Sequence, residues 1–237
     1  MALMKSISGI RGTIGGAPGD NLTPVDIVKF TAAYGSMLLK EGKGKKVVVG
    51  RDGRMSGEMV NSLVVNTLKG LGLDVVDLGL STTPTVEMAV VFEKAAGGII
   101  LTASHNPKQW NALKLLNDKG EFISAETGLQ MLSLAESDDF EFAPVDELGT
   151  YTTGTGLLEK HIEAILAHPL VKKDVIASKN FKVVVDAINS SGAVAVPALL
   201  NRLGVTDITV LNAEMHGNFA HNPEPLAEHL VDLCAEV

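Results

Sequence analysis

A single cysteine, Cys234, stands in the 237 residues, so no disulfide can close within the chain and a reducing, cytoplasmic setting is expected. Basic residues are outnumbered 20 to 28 by acidic ones, a formal charge of −8. Nucleic-acid backbones and anionic membrane surfaces both reward clustered positive charge, so neither is expected as a partner. Long apolar runs are missing too: "GGIILTA" is among the most apolar stretches and falls far short of the ~20 residues that cross a bilayer. The opening "MALMKSISGIRG" carries no apolar run of the secretory kind, which again points to the cytoplasm. Aromatic residues contribute only 4%, which leaves small aliphatic side chains to fill whatever core the chain builds.

Those aliphatics are plentiful, at 46% hydrophobic residues overall, and they are arranged in alternating strand and helix patterns. "KKVVVG" (45 to 50) is a β-branched run ended by glycine, and "EMVNSLVVNTLKGLG" then spaces apolar residues for a helix that closes on glycine. "LDVVDLG" reads as the next strand, "TTPTVEMAVVFEKA" as a helix and "GGIILTA" as a further strand. Strands separated by helices imply an α/β fold with a parallel sheet covered on both faces.

The second half repeats the opening of this scheme. "VVVDAINSSG…LLNRLG" (183 to 204) echoes "VVVGRDGRMSG…LKGLG" (47 to 72), so a second α/β layer is expected to begin near Phe181. Between the halves, "AESDDFEFAPVDELGTYTTGTG" (135 to 156) breaks the apolar periodicity, and "LLEKHIEAILAH" restores it as an amphipathic helix. The division is placed there, giving a first domain over residues 1–150 and a second over 151–237. The "GTG" of this segment follows no strand and lacks a third glycine, so it is not a dinucleotide fingerprint.

The chemistry concentrates in "GGIILTASHNPKQWNALKLL" (97 to 116), which sets Ser104, His105 and Asn106 at the tip of a strand. Ligands of parallel sheets gather beyond the carboxyl ends of strands, which is where Ser104 falls. Neighbouring strand side chains point to opposite faces, so Ser104 and His105 are poorly placed as a nucleophile and base, and no G-x-S-x-G elbow occurs. That leaves an exposed serine able to accept or donate a phosphoryl group. A plain turn would use the same Ser, Asn and Pro residues, and Lys114 alone reads better as a solvated charge than as a catalyst.

Two further loops put arginines where strands end: Arg11 among glycines in "SGIRGTIGG" (8 to 16), and Arg51 and Arg54 around Asp52 in "GRDGRMSG" (50 to 57). Glycine lets backbone approach an anion and guanidinium forks match phosphate oxygens, although Arg54 with Asp52 also fits a surface ion pair. His216 and His221, five apart in "HGNFAHNPEP", read better as part of a packing loop than as metal ligands.

Taken in order, "GIRG", "GRDGRMSG", "TTPT", "TASHNPKQWNALK" and "VVVDAINSSG" resemble the α-D-phosphohexomutases, a family that includes phosphomannomutase, phosphoglucomutase and phosphoglucosamine mutase. The resemblance runs the length of the chain. It implies a three-layer α/β/α domain with a mixed, mostly parallel sheet, followed by a truncated second α/β domain. It also implies that Ser104 carries a phosphoryl group, passes it to a sugar monophosphate and recovers it from the other end of the bisphosphate. In that picture Lys114 does acid/base work near the reacting hydroxyl, Arg11 lies beside it and His105 lines the loop. Thr102, Asn106, Asn111 and Arg51 belong to the phosphate-binding surroundings. The partner is a small phosphosugar, a hexose bisphosphate acts as activator, and Mg²⁺ is the cofactor, reached from this chain through the phosphoryl group on Ser104.

Ala112 departs from the pattern, since the family commonly has glycine there. No D-x-D-x-D-R string follows, so the Asp ligands of the metal are missing and the chain is expected to be an N-terminal part, nearly inactive alone. The rival expectation is a non-catalytic module that binds phosphosugar for regulation. A Ser-dependent hydrolase would need a base and an orienting acid that the sequence does not supply.

Overall fold

The computed structural model describes residues 3–6 and 9–237, so Ser8, at the head of the first glycine-rich loop, lies outside the described residues. The first unit runs β1 (Met4–Ser6), β2 (Gly9–Thr13), α1 (Pro24–Glu41), β3 (Lys46–Arg51), α2 (Gly57–Gly70), β4 (Asp74–Leu80), α3 (Thr83–Phe92), β5 (Gly97–Leu101), β6 (Trp110–Leu116), α4 (Ala125–Ser137) and β7 (Tyr151–Thr153). Its seven strands form one sheet in the order β1-β2-β6-β5-β3-β4-β7. β3 pairs in parallel with β4 and β5, and β4 with β7, while β6 is antiparallel to both β2 and β5. Five of these strands therefore run one way, and β1 and β6 run the other.

Strand alternation sorts the core into two layers. Val47 and Val49 of β3, Ile99 and Leu101 of β5, and Leu113 and Leu115 of β6 join α1, α2 and α4 on one face. Val48, Ile100 and Leu116 join Val86, Ala89 and Val90 of α3 on the other. The expected three-layer α/β/α architecture with a mixed, mostly parallel sheet is the one observed. Lys114, paired in register with Ile100, takes a place in β6 that the α3 face would otherwise fill with a hydrophobe.

Helix ends follow local chemistry. Asp26 accepts from the backbone N–H of Thr23 at 3.1 Å at the start of α1, whose first residue is Pro24, and Gly42 closes it in a left-handed conformation (φ 68°).

The chain continues through α5 (Leu157–Ala167), α6 (Lys173–Ser178), β8 (Lys182–Asp186), α7 (Gly192–Arg202), β9 (Asp207–Leu211) and α8 (Val231–Glu236). β8 and β9 are parallel and form a two-stranded sheet in which every residue keeps some exposure, as expected of a unit short of covering layers. The echo seen in the sequence is structural: α2 and α7 each bridge two neighbouring parallel strands, and each is followed by a glycine of positive φ, Gly72 and Gly204. The three residues just past position 150 form β7 and pair with β4, so the second sheet starts only at Lys182. Among the described residues no helix is long and apolar enough to cross a membrane.

Candidate active site around Ser104

β5 ends at Leu101, and the loop from Thr102 to Gln109 leads back into β6. Ser104 is exposed in this loop with φ of +56°, a left-handed conformation uncommon for a residue with a Cβ. The strand stops short of residues 104 and 105, so their separation is set by this turn rather than by the strand alternation invoked from the sequence. His105 is turned toward the second unit, with Nε2 3.6 Å from the Glu224 carboxylate.

The backbone on both sides of Ser104 is held. Its N–H donates to Thr102 Oγ1 at 3.0 Å, and its carbonyl accepts from Arg54 Nη2 at 2.8 Å. Thr102, buried, donates its hydroxyl to Asp52 Oδ2 at 2.6 Å, so it lies behind the loop rather than facing a ligand.

The surface ion pair that the sequence allows for Arg54 and Asp52 is corrected by the burial of Arg54, which is only 1% exposed. Its Nε donates to Asp52 Oδ2 at 3.0 Å, Nη1 to the carbonyls of Pro107 and Trp110, and Nη2 to those of Ser104 and Asn106. Burial draws the Arg54 pKa down, against the pull of Asp52. The residue spacing of "GRDGR" is visible in the sequence, but no sequence signal marks which of its two arginines goes inside.

The loop gathers Arg11, whose Nη1 donates to Asn106 Oδ1 at 3.0 Å from the adjacent strand β2. In register, Arg11 opposes Ala112 and Gly9 opposes Lys114, which puts Arg11 and Lys114 on the same face of the sheet. A Cβ on Gly9 would fall 2.0 Å from the Leu113 carbonyl oxygen, so that close crossing of β2 over β6 requires glycine. Burial lowers the Lys114 pKa, and the positive charges of Arg11 and Arg54 lower it further, while Asp52 and Glu87 work the other way. Its ammonium lies 5.9 Å from the ring centre of Phe122.

Besides Thr102 behind the loop and His105 turned to Glu224, two more expected site residues go elsewhere. Asn111 is fully buried, donating to Ser56 Oγ at 2.9 Å and accepting from the Ala112 N–H at 2.8 Å, which ties β6 to the start of α2. Arg51 turns onto its own loop, with Nη1 3.3 Å from the Asp52 carbonyl and Nη2 3.5 Å from Glu58. Of the expected residues, Arg11 meets Asn106 in the Ser104 loop, and Lys114 shares the sheet face of Arg11. No three His, Cys, Asp or Glu side chains converge as a metal donor set among the described residues.

The second unit closes over the side of the loop. Gly53 N–H donates to Ser190 Oγ at 2.9 Å, and the Phe219 ring centre lies 5.1 Å from the Arg54 guanidinium. A groove of about 310 Å³ separates Pro107 to Gln109 from Phe219 to Pro223. The segment bearing His216 and His221 therefore packs against the first unit, and His221 pairs with Asp186 at 2.7 Å.

Two family descriptions match in order along the chain: phosphoglucomutase/phosphomannomutase, alpha/beta/alpha domain I, over residues 4–142, and domain II of the same family over residues 159–237. A phosphoglucomutase/phosphomannomutase of Thermococcus kodakarensis is 37% identical over 223 residues, covering 92% of this chain and 48% of that protein. A solved structure from Thermus thermophilus superposes with a TM-score of 0.84 at 31% identity, over 99% of this chain and 52% of the other. A phosphoglucomutase/phosphomannomutase family protein from Burkholderia thailandensis gives a TM-score of 0.77 at 27% identity, over 98% and 51%. The chain spans about half the length of the curated relatives it matches.

Proposed function

The chain belongs to the phosphoglucomutase/phosphomannomutase family, and from that premise we propose that it supplies the phosphoryl-carrying part of a hexose phosphate mutase. The observation that carries this reading is Ser104 itself: an exposed hydroxyl on a fixed backbone, in a loop whose Asn106 is held by Arg11, with a lysine of lowered pKa on the same sheet face as Arg11. In the forward half-reaction the bond between phosphorus and Ser104 Oγ breaks as a free hydroxyl of the sugar monophosphate bonds to phosphorus. The hydroxyl proton passes to Lys114 in its neutral form, and the departing Ser104 Oγ takes a proton from solvent, which it gives back when it is phosphorylated again. The bisphosphate then returns the phosphoryl group from its other end to Ser104 Oγ, and Lys114 gives its proton to the sugar oxygen that is released. The net change is isomerisation between 1- and 6-phosphates, with no net oxidation or hydrolysis.

Arg11, held by Asn106, places a fixed positive charge where the transferring oxygens gather, and such charge is what phosphoryl transfer chiefly needs. Magnesium, when bound at a phosphorylated serine, adds charge neutralisation of the same kind. The described residues offer no converging donor set for it, so in this proposal the ion meets the chain only through the phosphoryl group. The sugar is a glucose, mannose or glucosamine phosphate, a hexose bisphosphate primes the serine, and a cytoplasmic setting suits a chain without disulfides.

The test uses the full-length polypeptide that carries this sequence, incubated with radiolabelled hexose 1,6-bisphosphate. Label is expected on the Ser104 peptide, together with 1- to 6-phosphate conversion, and both are expected to vanish in Ser104→Ala. Label elsewhere, or turnover surviving Ser104→Ala, would remove Ser104 as the carrier. Tight hexose phosphate binding without label or turnover would instead make this a binding module.

A further inference from the structure

We infer that Asp52 and Arg54 are the positioning residues of the Ser104 loop, acting on the serine through its backbone rather than on phosphate. The inference rests on the proposal that Ser104 is the phosphoryl carrier. A guanidinium has five N–H donors. In Arg54 every one is matched: Nε by Asp52, Nη1 by the Pro107 and Trp110 carbonyls, Nη2 by the Ser104 and Asn106 carbonyls. No donor remains for a phosphate oxygen, and the Phe219 ring lies against the guanidinium from the second unit.

All four carbonyls lie within the stretch from Ser104 to Trp110, so one buried cation sets the path of the whole turn. Remove it and four carbonyl dipoles converge on an empty centre, which drives them apart. The serine's own φ of +56° is disfavoured for a residue with a Cβ and persists only because the surroundings over-determine it. Those surroundings lead to one carboxylate. Asp52 Oδ2 accepts from Arg54 Nε at 3.0 Å and from the Thr102 hydroxyl at 2.6 Å, and Thr102 Oγ1 in turn accepts the Ser104 N–H. Asp52 Oδ1 accepts the Arg54 N–H at 3.0 Å, closing the loop on itself. Both peptide groups flanking Ser104 are thereby anchored to Asp52, one through Thr102 and one through Arg54.

The pair is close to neutral, so its effect on the reacting oxygens is geometric; the uncompensated charge nearby belongs to Arg11 and Lys114. Among the described residues no hydrogen bond engages the Ser104 hydroxyl, which is left free to carry a phosphoryl group.

The experiment compares Arg54→Lys, Thr102→Val and Ser104→Ala in the full-length polypeptide, with kcat and KM for the hexose phosphate measured per folded molecule and folding checked by circular dichroism. Lysine keeps the charge but cannot span four carbonyls and a carboxylate, so kcat is expected to fall about a hundredfold, the scale of a misplacement near 1 Å, with KM within a few-fold. Thr102→Val keeps the shape, is expected to fold, and removes the hydroxyl that links the Ser104 N–H to Asp52; a kcat loss of about tenfold at steady KM is expected. A proportional rise in KM at unchanged kcat in Arg54→Lys would make Arg54 a phosphate ligand and overturn the inference. Unchanged kcat in Thr102→Val would overturn it even if Arg54→Lys fails to fold. If Ser104→Ala stays active the carrier assignment fails first; if Ser104→Ala is dead while both other variants turn over normally, only the positioning role fails.

Discussion

At the scale of single residues, the candidate site sets Lys114 on the same sheet face as Arg11. Burial lowers the Lys114 pKa from the ordinary 10.5, and Arg11 and Arg54 push the same way. A rate that depends on neutral Lys114 therefore rises with pH through a midpoint below 10.5, readable from a kcat profile of the full-length polypeptide. The same shift makes the charged lysine a burden on the fold. A lysine with a lowered pKa destabilises the folded state wherever it is charged, and stability recovers as pH rises through the folded value. Lys114→Met is thus expected to melt no lower than the parent near neutral pH while turnover falls by about 10²- to 10⁴-fold. A lower melting temperature would show the amine holds the fold rather than serving the chemistry. Arg54 gives the opposite lesson: two arginines flank Asp52 and look alike on paper, yet Arg54 lies inside while Arg51 turns to Glu58.

At the scale of elements, the start of β5 explains its paired glycines. Tyr34 of α1 is fully buried and its hydroxyl meets the Leu116 carbonyl at 2.6 Å and the Gly98 carbonyl at 3.1 Å. A Cβ on Gly97 would lie 2.3 Å from that hydroxyl, so the strand carrying Ser104 begins with glycine to admit the helix. One tyrosine thereby ties α1 to β5 and β6, the two strands that bracket the Ser104 loop. Burial raises the phenol's pKa well above its ordinary 10.0, so it stays a neutral donor throughout the working range. Tyr34→Phe leaves buried carbonyls without that donor and is expected to cost about 1–3 kcal/mol in a urea titration. A loss well under that range would mean that water or relaxation replaces the bond.

At the scale of the whole molecule, the second unit meets the first through the loop bearing Phe219, which His221 latches to Asp186 of its own unit. His221 Nε2 meets Asp186 Oδ2 at 2.7 Å and Nδ1 meets the Asn222 carbonyl at 2.9 Å, two acceptors that both favour a doubly protonated ring. Burial opposes the charge, but the bonds to Asp186 and Asn222 and the nearby charges of Asp186 and Asp232 raise the His221 pKa above the ordinary 6.5 overall. A raised histidine pKa contributes stability that is complete below pH 6.5 and is lost as pH climbs through the higher folded value. Unfolding midpoints are expected to decline over that window, and His221→Gln is expected to flatten the decline; an equal slope in the variant would remove the latch. Gly217 supplies a second check, because its φ is 69° and a Cβ there would sit 1.7 Å from the Gly53 carbonyl oxygen. Gly217→Ala is expected to cost more than about 1 kcal/mol in thermal unfolding.

Periodicity alone was enough for the layers, since apolar spacing of two and of three to four marks which segments are strands and helices, and a repeated strand, glycine and helix pattern marked the second unit. The Ser104 loop was legible for the same local reason: a strand ending in Ser, His, Asn and Pro is written in consecutive residues. The reversed direction of β6, the burial of Arg54 and the retreat of Thr102 and Asn111 behind the loop were not, because each depends on carbonyls and carboxylates contributed from distant parts of the chain. Sequence neighbours settle what a segment can form on its own; which donors find acceptors across a sheet is settled only when the strands have paired.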